Sequence, residues 1–306
     1  MHPYRFSWDA DALVVLPGMA AAYLIARTRF PAPGWRVASF LAGCALMLAV
    51  QIGPLDTLAL HYLLSMHLLQ NVVLAEWGPL LCVLGLTPQM ARALERVPGV
   101  GTLTRPLVAL PIWLVTYFAW HLPWAYDAAL RHQWTILHAE HACYFAAGCL
   151  VWWPVVHGRI RSGTKALYLF GAFVLASPLG LLLALLPSAV YTFYEQAPRL
   201  WGLSALADQQ IAGVTMASEQ AVVFFAVFAY YLHRFFREEQ SADAFRAPTI
   251  ARPLGRAACA AGAAPSPRER PSEQAASPLP ASAGAGTPER RLTTAPATRA
   301  QPPPRV

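Results

Sequence analysis

The sequence predicts an all-α, polytopic membrane bundle of seven transmembrane helices, with the N-terminus outside and the C-terminus cytoplasmic. Three observations carry this. Hydrophobic residues make up 56% of the 306 and charged residues only 13%, with a mean hydropathy of +0.39, a balance too apolar for a water-soluble domain. Seven apolar runs reach or approach the roughly 17–25 residues that a spanning helix needs. The basic residues then alternate between the loops that join the runs.

The runs lie near 11–27, 36–53, 58–86, 106–122, 135–156, 166–190 and 207–234. The first lacks a basic leader and has its positive residues behind it, so it reads as a span and not as a cleaved signal. The third is longer than a bilayer requires and must tilt or project. Pro17, Pro79 and Pro178 fall inside runs, where neighbouring helices can satisfy the carbonyls they free. Trp113, Tyr117, Trp152 and Trp153 read as interface anchors or packing groups.

Loop charge fixes the orientation. Arg27, Arg29 and Arg36 flank the first loop, Arg92, Arg96 and Arg105 the third, and Arg159, Arg161 and Lys165 the fifth, whereas the fourth and sixth hold only Arg131 and Arg199 and the second holds none. Odd-numbered loops are therefore cytoplasmic. The net charge of +7 is explained by these loops and a basic tail, with no basic amphipathic face, so nucleic acid is not expected as a partner. Five cysteines without a CxxC pair indicate neither a disulfide framework nor a zinc knuckle. Beyond a transmembrane domain of 1–239, residues 240–306 turn to Ala, Pro, Gly, Ser and Arg and end in QPPPRV. That composition predicts a disordered cytoplasmic tail.

The third run carries the chemistry. LHYLLSMHLLQNVVLAEWGPLLCVLGL, residues 60–86, holds His61, His67, Gln70, Asn71 and Glu76, and an ionisable group within a span marks a functional site by default. On the predicted topology His61 lies near the outer surface and His67 about two turns deeper. The fourth run ends at that surface with Trp120 and His121. The fifth starts there with His138 and His141 on one face, and the seventh with Asp208, Gln209 and Gln210, Met216 lying below. Six of the nine histidines, His132 included, fall on this side. Imidazole and thioether suit copper, and imidazole also suits zinc, iron and nickel. A metal or haem-related site, a polar network locking helices together, and a proton or ion path are all compatible with the cluster. Glu76 and Glu219, at comparable depth toward the inner half, suggest a shared-proton contact. No nucleophile elbow, P-loop, dinucleotide fingerprint or CxxCH motif is present, so an enzyme is not expected.

Four segments in order, SMHLLQNVVLAEWGPLLCVLGL, WHLPWAYDAAL, LHAEHACYFAAGCLVWWPVV and ADQQIAGVTM, resemble the signatures of the CtaG-type cytochrome c oxidase assembly factor family. The resemblance spans about residues 58–235. It implies a seven-helix, multi-pass protein of the bacterial inner membrane that serves respiratory-chain biogenesis. Cytochrome c oxidase subunits and the lipid bilayer would be its partners and a copper ion its cargo. His67 matches the first histidine of the family's H-x-x-Q-H segment and Gln70 its glutamine, whereas Asn71 stands where a second histidine is expected. His121 matches the W-H of the fourth span, His138 and His141 the paired histidines of the fifth, and Asp208 with Gln209 the D-Q of the seventh. The metal set implied is His67, His121, His138, His141 and Asp208, with His61 and Met216 as second choices. His61, six residues before His67, lies about 120° round the helix from it. The expected function is a metallochaperone that delivers copper from an outward-facing histidine site. A membrane copper or proton transporter and a non-metal scaffold are the alternatives.

Overall fold

The computed structural model describes residues 2–246, and among them the chain is helical, with one isolated antiparallel bridge between Trp8 and Ile52. Helix α1 (Ala10–Arg29) starts where the Asp9 carboxylate accepts from the amides of Asp11 and Ala12, satisfying donors that a helix start leaves open. Helix α2 (Gly34–Gln51) follows Pro33.

The third run is two elements, not one. Pro54 opens a short α3 (Pro54–His61), Leu63 is extended, and a new helix begins at Leu64. This new helix runs without a break through α4 (Leu64–Val72), a π-helical turn (Val73–Trp77) and α5 (Gly78–Gly85). Short helices α6 (Pro88–Glu95) and α7 (Val100–Leu103) lead to α8 (Pro106–Trp120). There the chain turns by 72° into α9 (Pro123–Arg131), because Pro123 forces the preceding Leu122 out of the helical region. A second π turn (Gln133–Leu137) opens α10 (His138–Val156). Helices α11 (Ser162–Leu185), α12 (Thr192–Gln196) and α13 (Ala205–Arg246) complete the described chain. Where sequence composition places the start of the tail at 240, α13 runs on to Arg246; the remainder of the expected tail lies outside the described residues.

Among the described residues five helices are long and apolar enough to cross a membrane: α1, α2, the continuous helix 64–85, α11 and α13. The bent pair α8–α9 makes a sixth if it counts as one span. Helix α10 stands at the fifth expected position, but its first turn holds His138, Glu140 and His141, which lowers its apolarity. In helix 64–85, 72% of the most apolar window is buried, against 17% in α1 and 28% in α13. That helix is the centre of the bundle.

The others pack round it through close approaches. Helix α2 lies on α5, α10 on α5 and the first π turn, and α13 on α4 and along α11. A Cβ at Gly148 of α10 would run into the carbonyl of Ala75, and one at Gly213 of α13 into Ala184 and Gly180 of α11. Small residues at crossings let backbones approach where lipid supplies no hydrophobic drive between helices. Trp152, Trp113 and Phe224 fill the core between α8, α10 and α13, with centroids 5.1 and 5.5 Å from Phe224.

Candidate functional site

The break before α4 is made by a side chain from the other end of the sequence. Asp208, in the first turn of α13, accepts at Oδ2 from the Leu64 amide at 2.6 Å and at Oδ1 from the Ser65 amide at 3.2 Å and the Ser65 hydroxyl at 2.6 Å. A carboxylate on the free amides of a helix start satisfies them and answers the positive end of the helix dipole. Both of its oxygens are engaged, and the turn it fixes carries His67.

His67 is fully buried. Its Nδ1 is 2.9 Å from the Tyr194 hydroxyl, whose own proton goes to the Ala59 carbonyl at 2.6 Å. The ring must therefore donate from Nδ1, which leaves the lone pair on Nε2. His121, just past the end of α8, repeats the arrangement: Nδ1 meets the Tyr117 carbonyl at 2.7 Å, and a carbonyl can only accept. Neither Nε2 has a partner among the described residues. Tyr126 lies between the two imidazoles, with centroids 5.0 Å from His67 and 5.9 Å from His121, and its hydroxyl is also unpartnered. His141 is buried with both ring nitrogens bare. Each such group costs about 1–3 kcal/mol of unrepaid desolvation.

Asn71 ties this cluster to α10. Its Nδ2 donates to Glu140 Oε1 at 3.2 Å, and Glu140 is fully buried with its second oxygen bare. Sequence reasoning does not reach Glu140, although the rule that singles out Glu76, an acid within an apolar run, applies equally to it. Tyr126 and Tyr194 are likewise invisible to it, since nothing in their spacing separates them from packing aromatics.

One turn on, the cluster continues toward α13. Met216 lines a small cavity with His121, Asn71, Tyr144 and Glu76. Glu76 Oε1 accepts from Gln220 Nε2 at 3.2 Å, and Gln220 Nε2 also reaches the Tyr117 hydroxyl at 2.9 Å. Tyr117 is thus more than a packing group. The carboxyls of Glu76 and Glu219 lie within electrostatic reach of each other, each with one oxygen unpartnered among the described residues, and Trp77 Nε1 donates to Glu219 Oε1. The π turn places Glu76 and Trp77 here, and Trp152 Nε1 takes up the Glu76 carbonyl at 3.1 Å.

His138 and His61 lie apart from this centre. His138 sits between Asp9 and Asp11, at 3.4 and 3.2 Å, and shares with His141 a cavity of about 300 Å³ between α1, α2 and α10. His61 lines a cavity of about 180 Å³ with Asp9, Asp56 and His138. Asp56 accepts from Ser7 at 2.5 Å and from Gln70 at 2.9 Å, and burial pushes its carboxyl above the usual carboxylate range. The structure therefore gathers His67, His121 and Met216 around the central cluster and leaves His138 and His61 beside the start of α1. His141 lies between, within electrostatic reach of His67. Among the described residues no three His, Cys, Asp or Glu side chains converge as a ready-made metal cage.

A family model described as cytochrome c oxidase caa3 assembly factor matches residues 19–238. The chain belongs to that family of assembly factors, and its apolar helices make it a multi-pass membrane protein. No curated protein and no solved structure matches it.

Proposed function

We propose that this assembly factor carries copper in transit to the haem–copper oxidase, taking it on the imidazoles of His67, His121 and His141. The chain would act in the bacterial inner membrane as a seven-span bundle, α8–α9 and α10 supplying the two spans beyond the five, with its N-terminus outside. It holds and hands over the ion without performing catalysis. Oxidase subunits are its recipients.

The observation that carries this reading is the pair of tautomers at His67 and His121. Each ring spends Nδ1 on an oxygen and keeps an unprotonated Nε2 bare inside the bundle, the form in which imidazole binds a soft or borderline metal. Oxygen partners on the far nitrogen are what orient ligating histidines elsewhere. Asp208 acts at one remove, by fixing the turn that carries His67. A set of donors that does not form a closed cage suits a carrier that must release its ion.

The test is oxidase assembly in cells lacking the chain, complemented by wild type or by a His67→Ala, His121→Ala variant at equal membrane abundance. Copper handling requires that the variant yield oxidase deficient in copper. Full copper in that oxidase would refute it.

A second reading has its own support. The series Glu219, Glu76, Gln220 and Tyr117 runs from the core of α13 to the end of α8, as a proton or ion path would. Uptake into sealed vesicles, found for a path and absent for a carrier, separates the two.

A further inference from the structure

At the opposite end of α10 from the histidines, a cavity of about 610 Å³ opens between α6, the start of α8 and the turn after α10. Four arginines line it: Arg92, Arg96, Arg105 and Arg159. Among the described residues none of the four guanidinium groups has an ion pair or a hydrogen bond. Glu95, the acid in the lining, has Oε1 engaged by Trp153 Nε1 at 2.9 Å. His157 adds no charge: burial holds its pKa below the ordinary value, and its ring meets the Val83 carbonyl at 2.9 Å.

Four unpaired cations round one hollow repel each other and call for an anion, and guanidinium forks fit phosphate oxygens best. The residues next to these arginines in sequence point to the kind of anion. Leu94, Val97, Leu103 and Leu107 are exposed at 42%, 51%, 42% and 90%, interleaved in sequence with Arg92, Arg96 and Arg105. A free phosphate has no use for aliphatic side chains, whereas a phospholipid presents a phosphate and acyl chains together. The cavity also lies where α8 begins and α10 ends, and the ends of spanning helices are where headgroups are met.

We propose that this cavity is a binding site for the phosphate headgroup of an anionic phospholipid, with the four arginines as its cationic wall and the exposed aliphatic residues against its acyl chains. Basic pockets at the ends of membrane helices are suited to such headgroups. The site is independent of the copper reading and needs only that the chain lie in a bilayer.

The full-length chain, purified in detergent, is titrated with phosphatidylglycerol, phosphatidylcholine or inorganic phosphate while thermal unfolding and lipid retention by native mass spectrometry are followed. Phosphatidylglycerol should raise the unfolding temperature and be retained, the other two not. An Arg96→Gln, Arg105→Gln variant should bind it about tenfold or more weakly. An Arg27→Gln, Arg29→Gln variant, whose arginines close α1 and are not part of the cavity lining, should bind as wild type does. The cavity arginines are exposed and unpartnered, so without lipid the variants should unfold at or above the wild-type temperature; Arg92→Gln, Arg159→Gln serves if the first pair does not. Equal binding of phosphatidylcholine, an equal effect of inorganic phosphate, undiminished binding by both cavity variants, or equal loss in the α1 variant would each overturn the site.

Discussion

Asn71 of α4 donates to Glu140 of α10 at 3.2 Å, in the position where the family pattern leads one to expect a histidine. The amide thus pairs the carboxylate and leaves the imidazoles on either side of it free.

Asn71→Leu should leave Glu140 bare and cost about 1–3 kcal/mol, read as a lower unfolding temperature in detergent. Asn71→His should restore a donor to Glu140 and add an imidazole beside His67, so stability should return toward wild type and copper retention rise. Loss of copper in Asn71→His with stability intact would speak against the proposed cluster.

Asp208→Ala removes the acceptor of two amides and a hydroxyl at the start of α4 and should cost about 1–3 kcal/mol. Asp208→Asn keeps one acceptor and should cost less. Because both carboxylate oxygens are already engaged, copper per folded protein should be unchanged in Asp208→Asn. A variant that folds normally but loses copper would make Asp208 a ligand instead.

Asp56 gives a pH signature. Burial raises its carboxyl, so between the unfolded value of about 3.9 and the raised folded value the native state holds more proton than the unfolded one. Stability therefore falls as pH rises through that window, and the penalty persists above it. Asp56→Asn keeps an oxygen for Gln70 and offers its amide to Ser7 Oγ. Its unfolding temperature relative to wild type should be higher at pH 7 than at about pH 4. The same difference at both pH values would rule this out.

Gly148→Ala should destabilise by about 1–3 kcal/mol, since the added Cβ meets the Ala75 carbonyl of the central helix. Ala at Gly171, where nothing lies within 4 Å, should be tolerated. Equal effects at the two positions in a thermal-unfolding comparison would contradict the helix crossing described.

The five helices long and apolar enough to cross a membrane were readable from sequence because length and apolarity define them. The break at Leu63 was not, because its cause, Asp208, lies 144 residues from Leu64 and a single chain does not announce long-range caps. For the same reason the sequence groups His138 with His67 by depth, while the structure turns His138 toward Asp9 and Asp11. Depth along a helix follows from counting residues; azimuth among helices follows from packing. Glu140 was within reach of the rule applied to Glu76. Tyr126 and Tyr194 were not, since their importance lies wholly in what they touch.

The most direct measurement is copper per chain, by mass spectrometry, after loading detergent-purified wild type and a His67→Ala, His121→Ala, His141→Ala variant of matched unfolding temperature. Copper carriage predicts near-stoichiometric metal in the wild type, falling in acid as the ligands protonate, and loss in the variant. A well-folded wild type that binds none, or a variant that binds as much, would contradict it.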